Sequence, residues 1–265
     1  MKVAANLTFM FHEAGGLLAR YEAAAAAGFR HVECAYPYSE SAQACSEVLD
    51  RCGLDQVLIN APPGPPETGG VGLACLPNKR AEFEDSIKLA IEYAKALRCP
   101  RIHVMAGRAP GDVLREAAEQ RYLESIRFAA ETMQKEGITC LIEPINSYSV
   151  PGYFLFSYDQ AVNYIQKLNL PNLKLQLDIF HLQLICGDLT NRISSLFPYI
   201  GHIQVAQPPY DERHEPDAAG EINYAHVFAL LKSKGYDGFI GGEYKPKTTT
   251  EAGLGWIAKY GLELK

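Results

Sequence analysis

The sequence is short of basic charge, of paired cysteine and of long apolar runs, and each shortage removes a class of function. Its 31 Asp and Glu outnumber 25 Lys and Arg, a net charge of −6 with histidine neutral, so the surface is not built to neutralise nucleic-acid phosphates. A local basic pocket is still compatible with that balance. No uninterrupted apolar stretch approaches the roughly 20 residues that a membrane span needs. The opening residues Met1–Leu7 lack the apolar run and cleavage pattern of a secretory signal. Seven cysteines are scattered at 34, 45, 52, 75, 99, 140 and 186, and none forms Cys-x-x-Cys. Neither a disulfide framework nor a thiolate zinc site follows from them, and a reducing cytosol is the expected home.

What is present is enough for a large core: 265 residues, 48% of them hydrophobic and 21% charged, read as two domains or as one α/β barrel. Short β-rich runs alternate with longer amphipathic ones. The expected strands are Val3–Leu7, Phe29–Glu33, Gln56–Asn60, Arg101–Met105, Ile138–Glu143, Lys174–Asp178, Gly201–Val205 and Phe239–Glu243. Between them lie expected helices at Leu17–Ala27 (closed by Gly28), Ser41–Arg51 (stopped by Gly53), Arg80–Leu97, Val113–Lys135, Tyr158–Leu168, a weakly marked Gly187–Leu196, and Tyr224–Lys234. A last helix, Glu251–Tyr260, follows the final strand. In Arg80–Leu97 the residues Phe83, Ile87, Ala90, Ile91 and Ala94 keep the spacing of one helix face.

Eight strand–helix units in this length fit a closed (β/α)8 barrel with a parallel sheet inside and helices outside. The competitor is a doubly wound open sheet, whose dinucleotide fingerprint belongs after the first strand. Leu7–Gly16 contains no Gly-x-Gly-x-x-Gly, so the barrel is preferred and no nucleotide cofactor is signalled. No Ser/Gly linker divides the chain, and a single domain over residues 1–265 is expected. One segment breaks the pattern: Ala61–Gly72 carries four prolines and four glycines and can continue neither strand nor helix. It follows the third strand, on the face where a barrel holds its chemistry, and reads either as a surface loop or as a lid. Its Gly69-Gly70-Val71-Gly72 lacks the Gly-Lys-Ser/Thr of a phosphate loop.

Barrel chemistry sits at the C-terminal ends of strands. There the fifth to eighth units each end on an oxygen-bearing side chain: Glu143, Asp178, Gln204 and Glu243, separated by 35, 26 and 39 residues. Each alone reads as a helix cap or a solvated group. Together they converge on one axis, where three carboxylates repel one another unless a cation lies between them. Oxygen-only ligands favour a hard dication, Mg²⁺ or Mn²⁺, over zinc. His181, three residues after Asp178, reads as a packed helix-start histidine or as a cationic or donor contact to substrate. Arg213 and His214, in the Gln207–Gly220 loop, and Lys245, beside Glu243, are solvated charges individually. Collectively they surround an anionic substrate, and a guanidinium suits bidentate capture of a carboxylate. His103 reads as core or supporting as readily as catalytic, while His12, His31 and His226 read as structural. The helical aromatics Tyr93 and Phe128 read as core.

Leu141-Ile142-Glu143-Pro144-Ile145-Asn146, Gln176-Leu177-Asp178-Ile179-Phe180-His181, Gly201-His202-Ile203-Gln204-Val205-Ala206 and Gly241-Gly242-Glu243-Tyr244 resemble the hydroxypyruvate isomerases of the xylose-isomerase-like (β/α)8 superfamily. Arg213-His214-Glu215-Pro216, Gly220–Tyr224, Asn60–Gly64 and Met105–Arg108 resemble the same group, so the match covers nearly the whole chain in order. Gln204 stands where the related ketose epimerases usually have a metal-binding histidine. The resemblance implies a metal held by Glu143, Asp178, Gln204 and Glu243, with Glu143 and Glu243 as the acid/base pair. It implies interconversion of hydroxypyruvate and 2-hydroxy-3-oxopropanoate; some bacterial relatives isomerise 2-oxo-tetronates, one carbon longer. The chemistry agrees with the residue-level reading: a carbon-bound proton is moved between neighbouring carbons, with a Lewis acid on the adjacent oxygens. The substrate carboxylate is assigned to His181 and Arg213, with Lys245 as the weaker candidate. The expected partner is a small anionic hydroxy-oxo acid, with no nucleic acid and no membrane; a homo-oligomer is compatible with this reading. Alternatives are a ketose 3-epimerase, an apurinic-site endonuclease of the same superfamily, for which the chain is too acidic and too poor in histidine, and a carbohydrate-binding barrel with a vestigial metal site.

Overall fold

Eight strands, each followed by helical chain, close on themselves in sequence order, every neighbour parallel and the first paired to the last. The computed structural model describes residues 1–109, 111, 114–208 and 213–265. The strands are β1 (Lys2–Asn6), β2 (His31–Cys34), β3 (Asp55–Asn60), β4 (Arg101–His103), β5 (Thr139–Ile142), β6 (Leu173–Asp178), β7 (Ile200–Val205) and β8 (Phe239–Gly242). The helices are α1 (Leu17–Ala26), α2 (Ala42–Cys52), α3 (Arg80–Ala96), α4 (Arg115–Gln134), α5 (Tyr158–Leu168), α6 (Ile179–Ile185), α7 (Leu189–Leu196), α8 (Tyr224–Ser233) and α9 (Gly255–Lys259). The expected (β/α)8 barrel is therefore the fold. Among the described residues no helix is long and apolar enough to cross a membrane.

Local chemistry explains the boundaries. Ser41 opens α2 by accepting a hydrogen bond from Ala44 N at 3.1 Å, and Asn223 opens α8 by accepting from His226 N at 3.2 Å. The α3 face predicted from spacing is the buried one: Phe83, Ile87, Ala90, Ile91 and Ala94 all lie in the core between helices and strands. Tyr93 and Phe128 are half-buried at the margin of that core. A second, smaller apolar cluster of Ala4, Val57, Leu58 and Leu141, with Phe239 against it, fills the N-terminal end of the barrel interior. Above it the inward-facing positions turn polar, with Asn6, Glu33, Gln176, His202 and Gln204 all buried. That change of lining places the site.

Three expectations are corrected. The fifth and eighth strands stop at Ile142 and Gly242, so Glu143 and Glu243 lie one residue past the strand ends, with Glu243 N still donating to Val205 O at 3.1 Å. Asp178 does end its strand, but its Oδ1 accepts from Phe180 N at 2.9 Å and starts α6, an element absent from the sequence reading. The last helix divides into a 3-10 turn at Glu251–Gly253 and the short α9. The expected start of the fourth helix at Val113 lies outside the described residues.

The Ala61–Gly72 segment is a strap with both feet on β4 and the chain just after it. Ala61 N donates to His103 O at 2.8 Å, and Gly72 pairs antiparallel with Ala106, while Gly107 N donates to Val71 O at 3.0 Å. β4 ends at His103, shorter than the expected Arg101–Met105; Val104 N still donates to Leu141 O at 2.9 Å, and the chain beyond it pairs with the strap. Gly72 has φ of +109°, and a methyl group there would collide with the Met105 carbonyl. Gly72→Ala is therefore expected to cost roughly 2 kcal/mol, about 5 °C in thermal midpoint. An unchanged midpoint in a melting experiment would show that the foot of the strap is not held this way.

Candidate active site

The polar lining begins with Glu33 on β2, 1% exposed. Its Oε1 accepts from Asn6 Nδ2 and from Gln204 Nε2, each at 2.7 Å, and its Oε2 lies 2.7 Å from His202 Nε2. Gln204 turns its Oε1 the other way, to Gln176 Nε2 at 2.6 Å, and the same Nε2 donates to Glu143 Oε2 at 3.1 Å. A chain of oriented amides thus joins the barrel interior to Glu143. Glu143 Oε1 is buried without a hydrogen-bond partner among the described residues.

Asp178 contributes Oδ2 to the same mouth, its Oδ1 being occupied by the α6 cap. Arg213 Nη2 donates both to Asp178 Oδ2 and to Glu243 Oε2, the latter at 2.9 Å. Its guanidinium carbon lies 4.4 Å from the Phe180 ring centre and 5.7 Å from that of Phe9, so two rings fix its plane. Arg213 Nε is buried and unpartnered among the described residues, a donor left over for another acceptor. His181 Nε2 lies 3.6 Å from Asp178 Oδ2. Its Nδ1 is 2.6 Å from Asn146 Nδ2, and the Asn146 amide is fixed because its Oδ1 accepts from Tyr148 N and Ser149 N at 3.0 and 2.9 Å. An amide nitrogen has only protons to offer, so His181 Nδ1 accepts and Nε2 carries the hydrogen. His181 therefore presents an N–H toward the carboxylates.

Burial dominates the electrostatics. It pushes the Glu143 carboxyl well above the usual carboxylate range, with Glu243 and Asp178 adding to the rise and Arg213 opposing it. Glu243 is pushed up to about 8, again first by burial, with Arg213 pulling it down. Burial lowers His181 to about 3 against the pull of Asp178, so the ring is neutral. Burial works against the Arg213 charge too, but Asp178, Glu243 and Glu143 outweigh it and hold the guanidinium above its ordinary range. One cation thus faces several buried carboxyls, and the proton affinity of Glu143 and Glu243 rises.

That surplus suits a metal ion. Glu143, Asp178 and His181 offer ligand atoms within 4.8 Å of one another, a group that could hold one. With Nε2 protonated, His181 contributes a donor to this centre and the free lone pairs belong to oxygen, including the unpartnered Glu143 Oε1. Glu243 reaches Asp178 through the shared Arg213 nitrogen, and Gln204 reaches Glu143 through Gln176. Of the other expected residues, Lys245 is exposed, lining with Thr8, Phe9, His12 and Glu13 a cavity of about 480 Å³ at the rim. Its backbone N donates to Arg213 O at 2.7 Å. His214 pairs through its backbone with Gln207, shaping that loop, whose residues 209–212 lie outside the described ones. His103 is buried, its Nδ1 3.6 Å from Glu143 Oε2. His12 is exposed with Nε2 2.7 Å from Thr8 O, His31 packs on Phe239, and His226 sits on exposed α8 surface. Strand-end reasoning passed over Glu33, Gln176 and Asn146. Glu33 closes one of the expected strands, so the same inspection applied to β2 would have found it.

A family model described as xylose isomerase-like TIM barrel matches residues 21–260 of this chain. The 2-oxo-tetronate isomerase of Cupriavidus necator is 45% identical, the match covering 98% of either chain. The hydroxypyruvate isomerase of Escherichia coli is 40% identical over 98% of this chain and 99% of its own. A crystal structure described as an AP endonuclease, family 2, from Brucella melitensis is 41% identical, with a TM-score of 0.92 and 98% of each chain covered.

The buried histidines give the site a signature in acid. His103 is pushed down to about 3 by burial, while in the unfolded chain a histidine titrates near about 6.5. Between those values the unfolded chain binds more protons, so stability present above pH 6.5 drains away as pH falls toward 3. In metal-free protein, His103→Asn is expected to flatten part of that fall in thermal midpoint. An unaltered slope would show that His103 does not contribute to it.

Proposed function

This chain belongs to the xylose isomerase-like TIM barrel family and is an isomerase, and from that premise we propose that it interconverts hydroxypyruvate and 2-hydroxy-3-oxopropanoate. The observation that carries the reading is the meeting of Glu143, Asp178 and Glu243 at one barrel mouth beside the N–H of His181 and the guanidinium of Arg213. Isomerisation removes a proton from the carbinol carbon and returns one to the former carbonyl carbon, while the hydroxyl proton passes to the carbonyl oxygen. Glu143 and Glu243 are the acid/base pair, exchanging roles with the direction of reaction. Their raised affinity for protons at neutral pH suits donation as well as abstraction. His181, neutral and held by Asn146, offers its Nε2–H to an oxygen of the substrate. Arg213 offers Nε to the substrate carboxylate, with Lys245 at the rim as a further cation. Mg²⁺ or Mn²⁺, held by Glu143, Asp178, Gln204 and Glu243, would act as the Lewis acid on the two neighbouring substrate oxygens.

A four-carbon 2-oxo-tetronate is the second reading, favoured by the likeness to the Cupriavidus necator enzyme. The name of the Brucella structure points to DNA, but a net charge of −6 and the single histidine in the metal-capable group of the described residues favour a small anionic substrate. Seven unpaired thiols support a reducing compartment such as the cytosol.

Turnover of three- and four-carbon oxo acids in deuterated water, before and after chelation, tests the reaction and the ion together. Glu243→Gln is expected to keep the fold and to lower deuterium incorporation into product by about 10²–10⁴-fold. Near-normal exchange would remove Glu243 from the chemistry. Arg213→Ala should raise KM for hydroxypyruvate by about 10–100-fold, the worth of a charge-assisted hydrogen bond, and much less for a neutral ketose. Equal effects on both substrates would argue against Arg213 as the carboxylate anchor.

A further inference from the structure

The proposed chemistry makes no use of Glu33, a buried carboxylate of the barrel interior. Glu33 takes hydrogen bonds from β1 through Asn6 and from β7 through Gln204, and it meets His202 on β7 as well. On β8, Gly241 leaves the space empty: a methyl group there would run into both Glu33 carboxylate oxygens. Room for this group is therefore built from a neighbouring strand. A buried carboxylate supplied with three donors is a fixed part of the interior.

We propose that Glu33 is a positioning residue that sets the direction of the Gln204 and Gln176 amides, which hold Glu143 Oε2 and so leave Gln204 Oε1 and Glu143 Oε1 for the active centre. The inference rests on reading Gln204 as one of the groups that hold the ion. A carboxylate has no proton to give, so Gln204 must turn Nε2 toward it, at 2.7 Å. The amide plane then carries Oε1 to the opposite side, where Gln176 Nε2 donates to it at 2.6 Å. Gln176 Nε2 also donates to Glu143 Oε2 at 3.1 Å, which settles the orientation of the second amide. Reversing Gln204 would set oxygen against Glu33 and nitrogen against Gln176 Nε2, and reversing Gln176 would set its oxygen against Gln204 Oε1 and Glu143 Oε2; either loses two hydrogen bonds in a buried place. Gln204 Oε1 keeps a second lone pair after accepting from Gln176, and Glu143 keeps Oε1, so both have an atom left for an ion.

Glu33→Gln keeps the shape and removes the polarity, because the new amide can show either end to Gln204. Mn²⁺ binding followed by electron paramagnetic resonance should weaken by about 10–100-fold in this variant, as when a metal ligand loses the partner that orients it. In metal-free protein the side-chain amide signals of Gln204 and Gln176, one set each in the unaltered chain, should double or broaden. Unchanged affinity with single amide signals in the folded variant would overturn the proposal. If the variant does not fold, the unaltered protein decides: Gln204 Nε2 protons must show nuclear Overhauser contacts to the Glu33 side chain, and contacts to Glu143 in their place would overturn it. Failure of the unaltered protein to bind Mn²⁺ would sink the metal-centre reading instead, and the amide signals would still settle the role of Glu33.

Discussion

Like charge crowded into a place with little water governs the upper half of this barrel. Glu143 and Asp178 approach each other closely enough to share a ligand, and Arg213 ties Asp178 to Glu243. Leaving several carboxyls charged there is costly, since each would be stripped of solvent beside the others. The chain answers in three ways: a guanidinium set over the Phe9 and Phe180 rings, a raised proton affinity on Glu143 and Glu243, and amides and buried histidines in the spaces between. A dication bound among these carboxyls would take over the work of protons there. The same crowding that is costly without a cation would favour binding one.

Much of the fold could be read directly because it rests on local patterns. The α3 stripe from Phe83 to Ala94 and the glycine stops at 28 and 53 are decided within one or two helical turns of chain. The strand-end carboxylates were visible for the same reason, since alternation and spacing locate the end of a parallel strand to within a residue. What stayed hidden depends on partners far apart in sequence. The ring form of His181 is set by Asn146, whose own amide is held by its local loop, and nothing in Asp-Ile-Phe-His announces it. The role of Gln176 requires Gln204 and Glu143 on neighbouring strands, joined by the register that places Asp178 opposite Gln204. Helix α6 is missing from the expected elements, although the cap reading of Asp178 and the helix-start reading of His181 both fall on it.

Labour is divided by height along the barrel axis. Ala4, Val57, Leu58 and Leu141 close the N-terminal end with apolar side chains, and hydrogen-bonded side chains occupy the middle. Only above them do charges approach the mouth. The small residues Ala4 and Gly241 are as necessary to this order as the polar ones, since a parallel barrel of eight strands has limited interior volume.

The strap over Ala61–Gly72 has a consequence for how enzymes on this scaffold diversify. Both of its anchors grip the β4 side of the barrel, at His103 and around Ala106, so the residues between them form a handle attached along one edge. Lengthening or trimming the chain between those anchors leaves the hydrogen bonds of the eight strands intact. The strap can thereby change in length while the eight strands that carry the buried carboxyls keep their order and register.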